Sequence, residues 1–307
     1  MTQTVLDYLT KPEPELNYYQ NLDWQTPTYN SDWNPIENIE EWTDFNYENI
    51  VKRYYADLHQ PVNPDDLFNP TKMWERIGMN NVYSERGLEH KILLKNILVV
   101  SSVLPEHLFI GNGANTAEEF DIFPDWGTGD KRRLNRQDRF KAILGGDTKY
   151  NWSHCEAISI IQSSPNGYEY HPRKHIVRPF EQNQHYARKL GICYQFSGKE
   201  DAFLFQRFWL SPEPVRTSPR PQRKTRFQGH HQRVISSSTV SDVGSSIGAM
   251  SVGEPDLLPD IAGLHCAEVP STGRPDGLTP NLALYALIRM AAEDSQLRSE
   301  YPPMDAR

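Results

Sequence analysis

Cysteine is scarce in this sequence. Its three copies, Cys155, Cys193 and Cys266, lie far apart and form no C-x-x-C pair. That spacing argues against a disulfide framework and a structural zinc site, and it fits a reducing compartment. Long apolar runs are missing too. The longest, residues 92–104, is interrupted by Lys95 and Asn96. It is too short and too polar to span a bilayer, so no membrane contact is expected. The opening MTQTVLDYLTKPEPE has no basic segment followed by an apolar one, so no secretory leader is expected. The expected location is intracellular, in nucleus or cytoplasm. Positive net charge is also absent: the 307 residues carry a formal −8 at pH 7. An acidic body is not steered to nucleic acid by its overall field, so such a partner requires a local basic surface or a bound cation. No internal repeat is present, which excludes solenoid architectures.

What is present suits a soluble protein with a sizeable core: 37% apolar and 23% charged residues, with 23 prolines. Residues 1–79 form an acidic, aromatic-rich N-terminal arm, with Trp24, Trp33, Trp42 and Trp74 scattered without a period. The arm is expected to be irregular. It holds one candidate helix over 44–58 and is a candidate docking segment for a protein partner. The apolar spacing of Leu88, Ile92, Ile97 and Val100 predicts a helix over 84–104, with Ser84 as N-cap and Pro105 as its stop. Residues 108–110 and 120–123 read as a strand hairpin, 127–139 as a polar loop, and 140–149 as a further strand. Residues 157–162 read as a short strand or turn. A helix over 179–190 ends at Gly191, and 193–196 with 202–209 form a hairpin on a GKED turn. Residues 211–256 are basic and proline-rich, then rich in serine and glycine, and are expected to be a flexible insertion. Order is expected to return over 257–298 as a strand and a helix, with a tail at 299–307. The alternation of strands and helices predicts an α/β class with a central mixed sheet.

The feature that bears on chemistry is Pro124-Asp125-Trp126 followed by Gly146-Asp147-Thr148-Lys149. Asp147 and Lys149 are two apart on a strand, hence on one face. A hairpin between the strands would set Asp125 beside Asp147. Adjacent carboxylates repel, and a hard dication such as Mg²⁺ (or Mn²⁺) relieves that repulsion with oxygen ligands. Such an ion polarises a phosphate and activates water, and Lys149 stands where it stabilises developing negative charge. The same residues would equally serve as turn residues beside a solvated lysine. Gln182 and Tyr186 are four apart on the helix over 179–190, as are Glu85 and Glu89 on the earlier one. Either glutamate is a candidate third acid.

The order acidic helix, PDW, GDTK and QxxxY resembles the PD-(D/E)XK nuclease-like domain expanded in fungal genomes. The likeness lies in ILGGDTKYNW, in RPFEQNQHYARKLGICYQFSGKEDAFLFQRF and in LTPNLALYALIRMAAED, and it covers residues 80–210 and 260–298. The resemblance implies a restriction-endonuclease-like core. It further implies metal-dependent phosphodiester hydrolysis, with DNA preferred over RNA, or else a nuclease-like binding module that does not cut. It implies that Asp125 and Asp147 hold the metal together with Glu85 or Glu89, that Lys149 is the catalytic lysine, and that Gln182 and Tyr186 support the site. Asp121 rivals Asp125. Leu88 stands where that group is expected to carry a tryptophan. Two basic clusters are candidate nucleic-acid contacts: Lys131, Arg132 and Arg133, and the stretch with Arg220, Arg223, Lys224 and Arg226. The second reads equally as a nuclear-import signal or a solvated linker.

Overall fold

The computed structural model describes residues 3–11, 17–18, 33–68, 81–116, 122, 124–134, 140–164, 167–212 and 259–306. Met1–Ser211 and Pro259–Arg307 form one compact unit, and Pro212–Leu258 form another. Of the second unit only Pro212 is described. The expected insertion, with Arg220, Arg223, Lys224 and Arg226, therefore lies outside the described residues, as do Asp121, Trp24 and Trp74.

The expected irregular arm is instead built into the first unit wherever it is described. It carries three short helices, Val5–Leu9 (α1), Tyr47–Arg53 (α2) and Tyr55–Leu58 (α3), and two strands, Asn17–Tyr18 (β1) and Ile39–Glu41 (β2). The caps are local. Thr4 and Asp7 form a reciprocal capping box on α1, and the Asn46 side chain accepts from the Asn49 N–H at 3.0 Å to start α2. Trp42, Phe45, Ile50 and Leu58 are buried in the larger core cluster, so the described aromatic residue Trp42 packs inward.

Strand Asn81–Val82 (β3) pairs with β1. Ser84 then caps helix Glu85–Ile92 (α4), its Oγ accepting from the Gly87 N–H at 3.2 Å. The helix passes through a π-helical stretch, Leu93–Ile97, into Leu98–Ser101 (α5). Three antiparallel strands follow: Leu108–Asn112 (β4), Trp126–Leu134 (β5) and Phe140–Thr148 (β6). Helices His154–Ser163 (α6) and Arg178–Leu190 (α7) lead to Tyr194–Gly198 (β7), parallel to β6. Ala202–Leu210 (β8) and Ile261–Pro270 (β9) continue antiparallel, and Pro280–Glu293 (α8) closes the order. The sheet runs β2-β9-β8-β7-β6-β5-β4, with β2 parallel to β9. It is a seven-stranded mixed sheet flanked by helices, the expected α/β class.

Alternation along β8 divides the core. Phe203 and Phe205 face a cluster with α4, α5 and α8, while Leu204 and Phe208 face a second cluster with α6 and α7. Two expected elements change type. Residues 127–134 are strand rather than loop, because β5 lies between β4 and β6 and finds ladder partners on both sides, which outweighs its glycines and charges. Residues 157–162 are helical, because Ala157, Ile160 and Ile161 share one buried helix face. The hairpin partner of β4 is β5, not residues 120–123. Ile122 is not in a strand, and residues 120, 121 and 123 lie outside the described residues. Among the described residues no helix is long and apolar enough to cross a membrane.

Candidate active site

Trp126 opens β5 and pairs antiparallel with Gly146 of β6, so the register carries Asp125 opposite Asp147. The turn before β5 is held at several points. The Gly113 N–H donates to the Asp125 carbonyl at 3.1 Å, and the Thr148 N–H donates to Asp125 Oδ2 at 2.8 Å. The Trp126 indole N–H donates to Thr148 Oγ1 at 2.9 Å in a buried contact that ties the two strand ends together. Gly113 permits this approach because a β-carbon there would stand 1.9 Å from the Pro124 carbonyl oxygen. The PDW turn and the GDTK strand therefore meet through backbone as well as side chains.

Asp147 is buried and Asp125 half-buried. Burial, and then the neighbouring Asp147 carboxylate, push the Asp125 carboxyl well above the usual range, while the Thr148 N–H and Lys149 oppose this. The Lys149 ammonium forms an ion pair with Asp147 Oδ2. Burial works against that ammonium, but Asp147, with Glu85 and Asp125 behind it, outweighs burial and holds the amine above its ordinary value. Lys149 is thus a fixed cation at neutral pH, suited to stabilising negative charge and unsuited to taking up a proton.

Of the two candidate glutamates, Glu85 is the one in the electrostatic field of Lys149 and Asp147. Glu85 at the start of α4 accepts from the Tyr150 N–H and lies in the field of Lys149 and Asp147. Glu85 is exposed and Glu89 half-buried, yet protein packed near the Glu85 carboxyl raises it above the usual range. Glu89, one turn on, reaches Glu85. Glu85 nonetheless stands back from the pair. Among the described residues the three carboxylates of Glu85, Asp125 and Asp147 do not form a group with all ligand oxygens within 4.8 Å. On α7, the Gln182 amide donates to the Tyr186 hydroxyl at 2.6 Å, and that hydroxyl lies near Asp147 and Asp125. Burial first, then Asp147, raise the Tyr186 hydroxyl, so it stays a neutral donor facing the acids.

The first basic cluster lies at the far end of β5. Lys131, Arg132 and Arg133 begin six residues beyond Asp125 along β5, about 20 Å at strand rise. Arg132 chelates the buried Asp130 through contacts of 2.7–3.2 Å, Arg133 reaches it at 3.6 Å, and Lys131 Nζ donates to the Glu106 carbonyl at 2.7 Å. The single Asp130 carboxylate offsets one of these three positive charges, and the cluster is remote from the acid pair. Sequence reasoning missed Gly113 and Thr148, which fix Asp125. It also missed Glu200, whose side chain accepts from the Asn151 N–H beside Lys149. The G-D-T-K string contains Thr148, but only the tertiary approach shows its role. The chain matches no family model, no curated protein and no solved structure.

Proposed function

We propose that the chain is a metal-dependent phosphodiesterase of the PD-(D/E)XK nuclease kind, acting on DNA in preference to RNA. The observation that carries this reading is the convergence of Asp125, Asp147 and Lys149 at the paired ends of β5 and β6. The order of helix, three antiparallel strands, helices and a strand parallel to the third supports a restriction-endonuclease-like core.

The donor set fits a hard dication. Asp125 and Asp147 offer carboxylate oxygens, with Glu85 at the rim. Burial first, and then the adjacent Asp147 carboxylate, raise the Asp125 carboxyl, and a dication held by both acids would relieve their repulsion. Asp125 and Asp147 would hold Mg²⁺ or Mn²⁺, which supplies charge neutralisation and polarises a phosphate when bound. Lys149 orients and stabilises the added negative charge, since it keeps its proton. The Gln182–Tyr186 pair presents a hydroxyl donor to the same space. The Thr148 N–H keeps Asp125 aimed, so little reorganisation is required.

A second reading, a nuclease-like module that binds without cutting, is favoured by one observation. Lys149 and Asp147 already form an ion pair, which gives the buried carboxylate a cation without a metal. One experiment separates the two. Full-length protein is incubated with labelled single- and double-stranded DNA and RNA, with Mg²⁺ or Mn²⁺ and with chelator. The nuclease reading expects cleavage that chelator stops and that Asp147→Ala and Lys149→Ala each lower at least about a hundredfold. Cleavage that persists in Asp147→Ala overturns the site. Binding without cleavage by the folded wild type moves the assignment to the module.

A further inference from the structure

A second cluster of metal-ligating side chains lies apart from the acid pair. His154 and Cys155 are the first two residues of α6, and Glu268 lies on β9. His154 Nε2 is 3.1 Å from Glu268 Oε2 and 3.2 Å from Cys155 Sγ. One donor atom from each residue lies within 4.8 Å of the other two.

Two chemistries use a cysteine, a histidine and a carboxylate. A nucleophilic relay places the thiol on one imidazole nitrogen and the carboxylate on the other, so that a proton passes across the ring. Here both partners crowd the same nitrogen, which excludes that relay. Lone pairs of nitrogen, sulfur and oxygen directed at one point are what a four-coordinate metal requires. Metal bonds of about 2.0–2.3 Å at tetrahedral angles separate neighbouring ligand atoms by about 3.4–3.6 Å, a few tenths more than the contacts seen. The donor set is soft and borderline, which selects Zn²⁺ over Mg²⁺.

The surroundings fit as well. His154 is buried, with the Trp152 ring set edge-on at 6.2 Å, while Cys155 and Glu268 are exposed and leave an entry path. The ladder holds Glu268 against Leu204 of β8. In the sheet, Asp147 pairs with Ser197, Ser197 with Leu204, and Leu204 with Glu268. Three ladder steps separate the two sites by about 14 Å, too far for one ion to serve both. We infer that His154, Cys155 and Glu268 form a site for a borderline divalent metal, Zn²⁺ by its chemistry, with a fourth position open to water. The site joins the N-terminus of α6 to the sheet. It escapes a motif search because its cysteine has no C-x-x-C partner and its glutamate comes from more than one hundred residues away.

The test is a spectroscopic titration of reduced, metal-stripped full-length protein with Co²⁺, followed by Zn²⁺. A thiolate-to-cobalt absorption band that saturates near one equivalent and is displaced by Zn²⁺ is expected. Cys155→Ser should abolish that band. Glu268→Gln, at an exposed position, should weaken Co²⁺ binding at least tenfold. Asp147→Asn should leave the band unchanged, whatever becomes of phosphodiester cleavage. No thiolate band in the folded wild type, or a band that survives Cys155→Ser, overturns the assignment. So does a band lost with Asp147→Asn in a variant of wild-type circular dichroism.

Discussion

At Gly113 the space that a side chain would need is already taken up by the chain itself. The Pro124 carbonyl lies where a methyl group would go, and the neighbouring N–H holds the Asp125 carbonyl. Gly113→Ala must push the PDW turn outward, because its neighbour is backbone and cannot swing aside. Overpacking of this kind costs about 1–3 kcal/mol. On the proposed reading Asp125 holds the ion, and displacing it by a fraction of an ångström should lower metal-dependent cleavage at least about tenfold. Thermal unfolding and a cleavage assay together check this. A variant with wild-type activity would show that the turn does not position Asp125. At this scale the sequence is informative where chemistry follows from local period. Asp147 and Lys149 are two apart on a strand, and Gln182 and Tyr186 four apart on a helix, and each pair meets. The close approach of Gly113 to Pro124 is a tertiary fact that no sequence window shows. The helical spacing of Glu85 and Glu89 does not by itself distinguish the two, since which one lies in the field of Lys149 depends on how the start of α4 packs.

Among the elements, β2 and the helices before α4 test how far residues 33–68 belong to the core. Trp42 stacks on Tyr194 with ring centroids 6.1 Å apart, touches Phe45 at 4.6 Å, and has the Arg207 guanidinium 4.5 Å from its ring. Removing a buried tryptophan from such a setting typically costs about 3–5 kcal/mol. Trp42→Ala should therefore shift the urea midpoint of the whole unit, followed by a probe remote from Trp42. A cost under about 1 kcal/mol would mean that this segment only leans on the sheet. The helices with caps were readable: Ser84 before α4, and Gly191 with φ of 65° after α7. The errors share a cause. Strand β5 is glycine-rich and charged, and it is a strand because two neighbours supply hydrogen bonds, which no window on one segment reveals. Helix α6 is short, and its isoleucines mimic a strand. Acidic composition hid the core role of residues 33–68, because Trp42, Phe45 and Ile50 are diluted among charges.

Taken whole, the molecule should respond to acid through the seam of β2, β9 and β8. His265 of β9 packs on the Trp209 ring at 4.4 Å and faces Glu40 at 3.7 Å. Burial, and then Arg207, lower its pKa to about 4, with Asp44 opposing. A histidine whose folded pKa lies below its ordinary value refuses a proton that the unfolded chain accepts. The resulting destabilisation is absent above about pH 6.5 and grows as the pH falls towards 4. His265→Gln should remove about 1–2 kcal/mol of the stability loss between those values, discounted for partial exposure. Unfolding midpoints at pH 7 and pH 4.5 provide the check. An unchanged pH slope in the variant would assign the acid response elsewhere.

The same seam joins Ile39 to Leu264 in parallel register. During synthesis Ile39 leaves the ribosome long before Leu264 exists, so its backbone groups must wait, unpaired, for most of translation. The edge of the sheet is then finished last, by a contact of very long loop closure, which makes for slow assembly and a late-exposed strand. A truncated or stalled chain would carry that unfinished border into the cell, where unpaired strands seek one another.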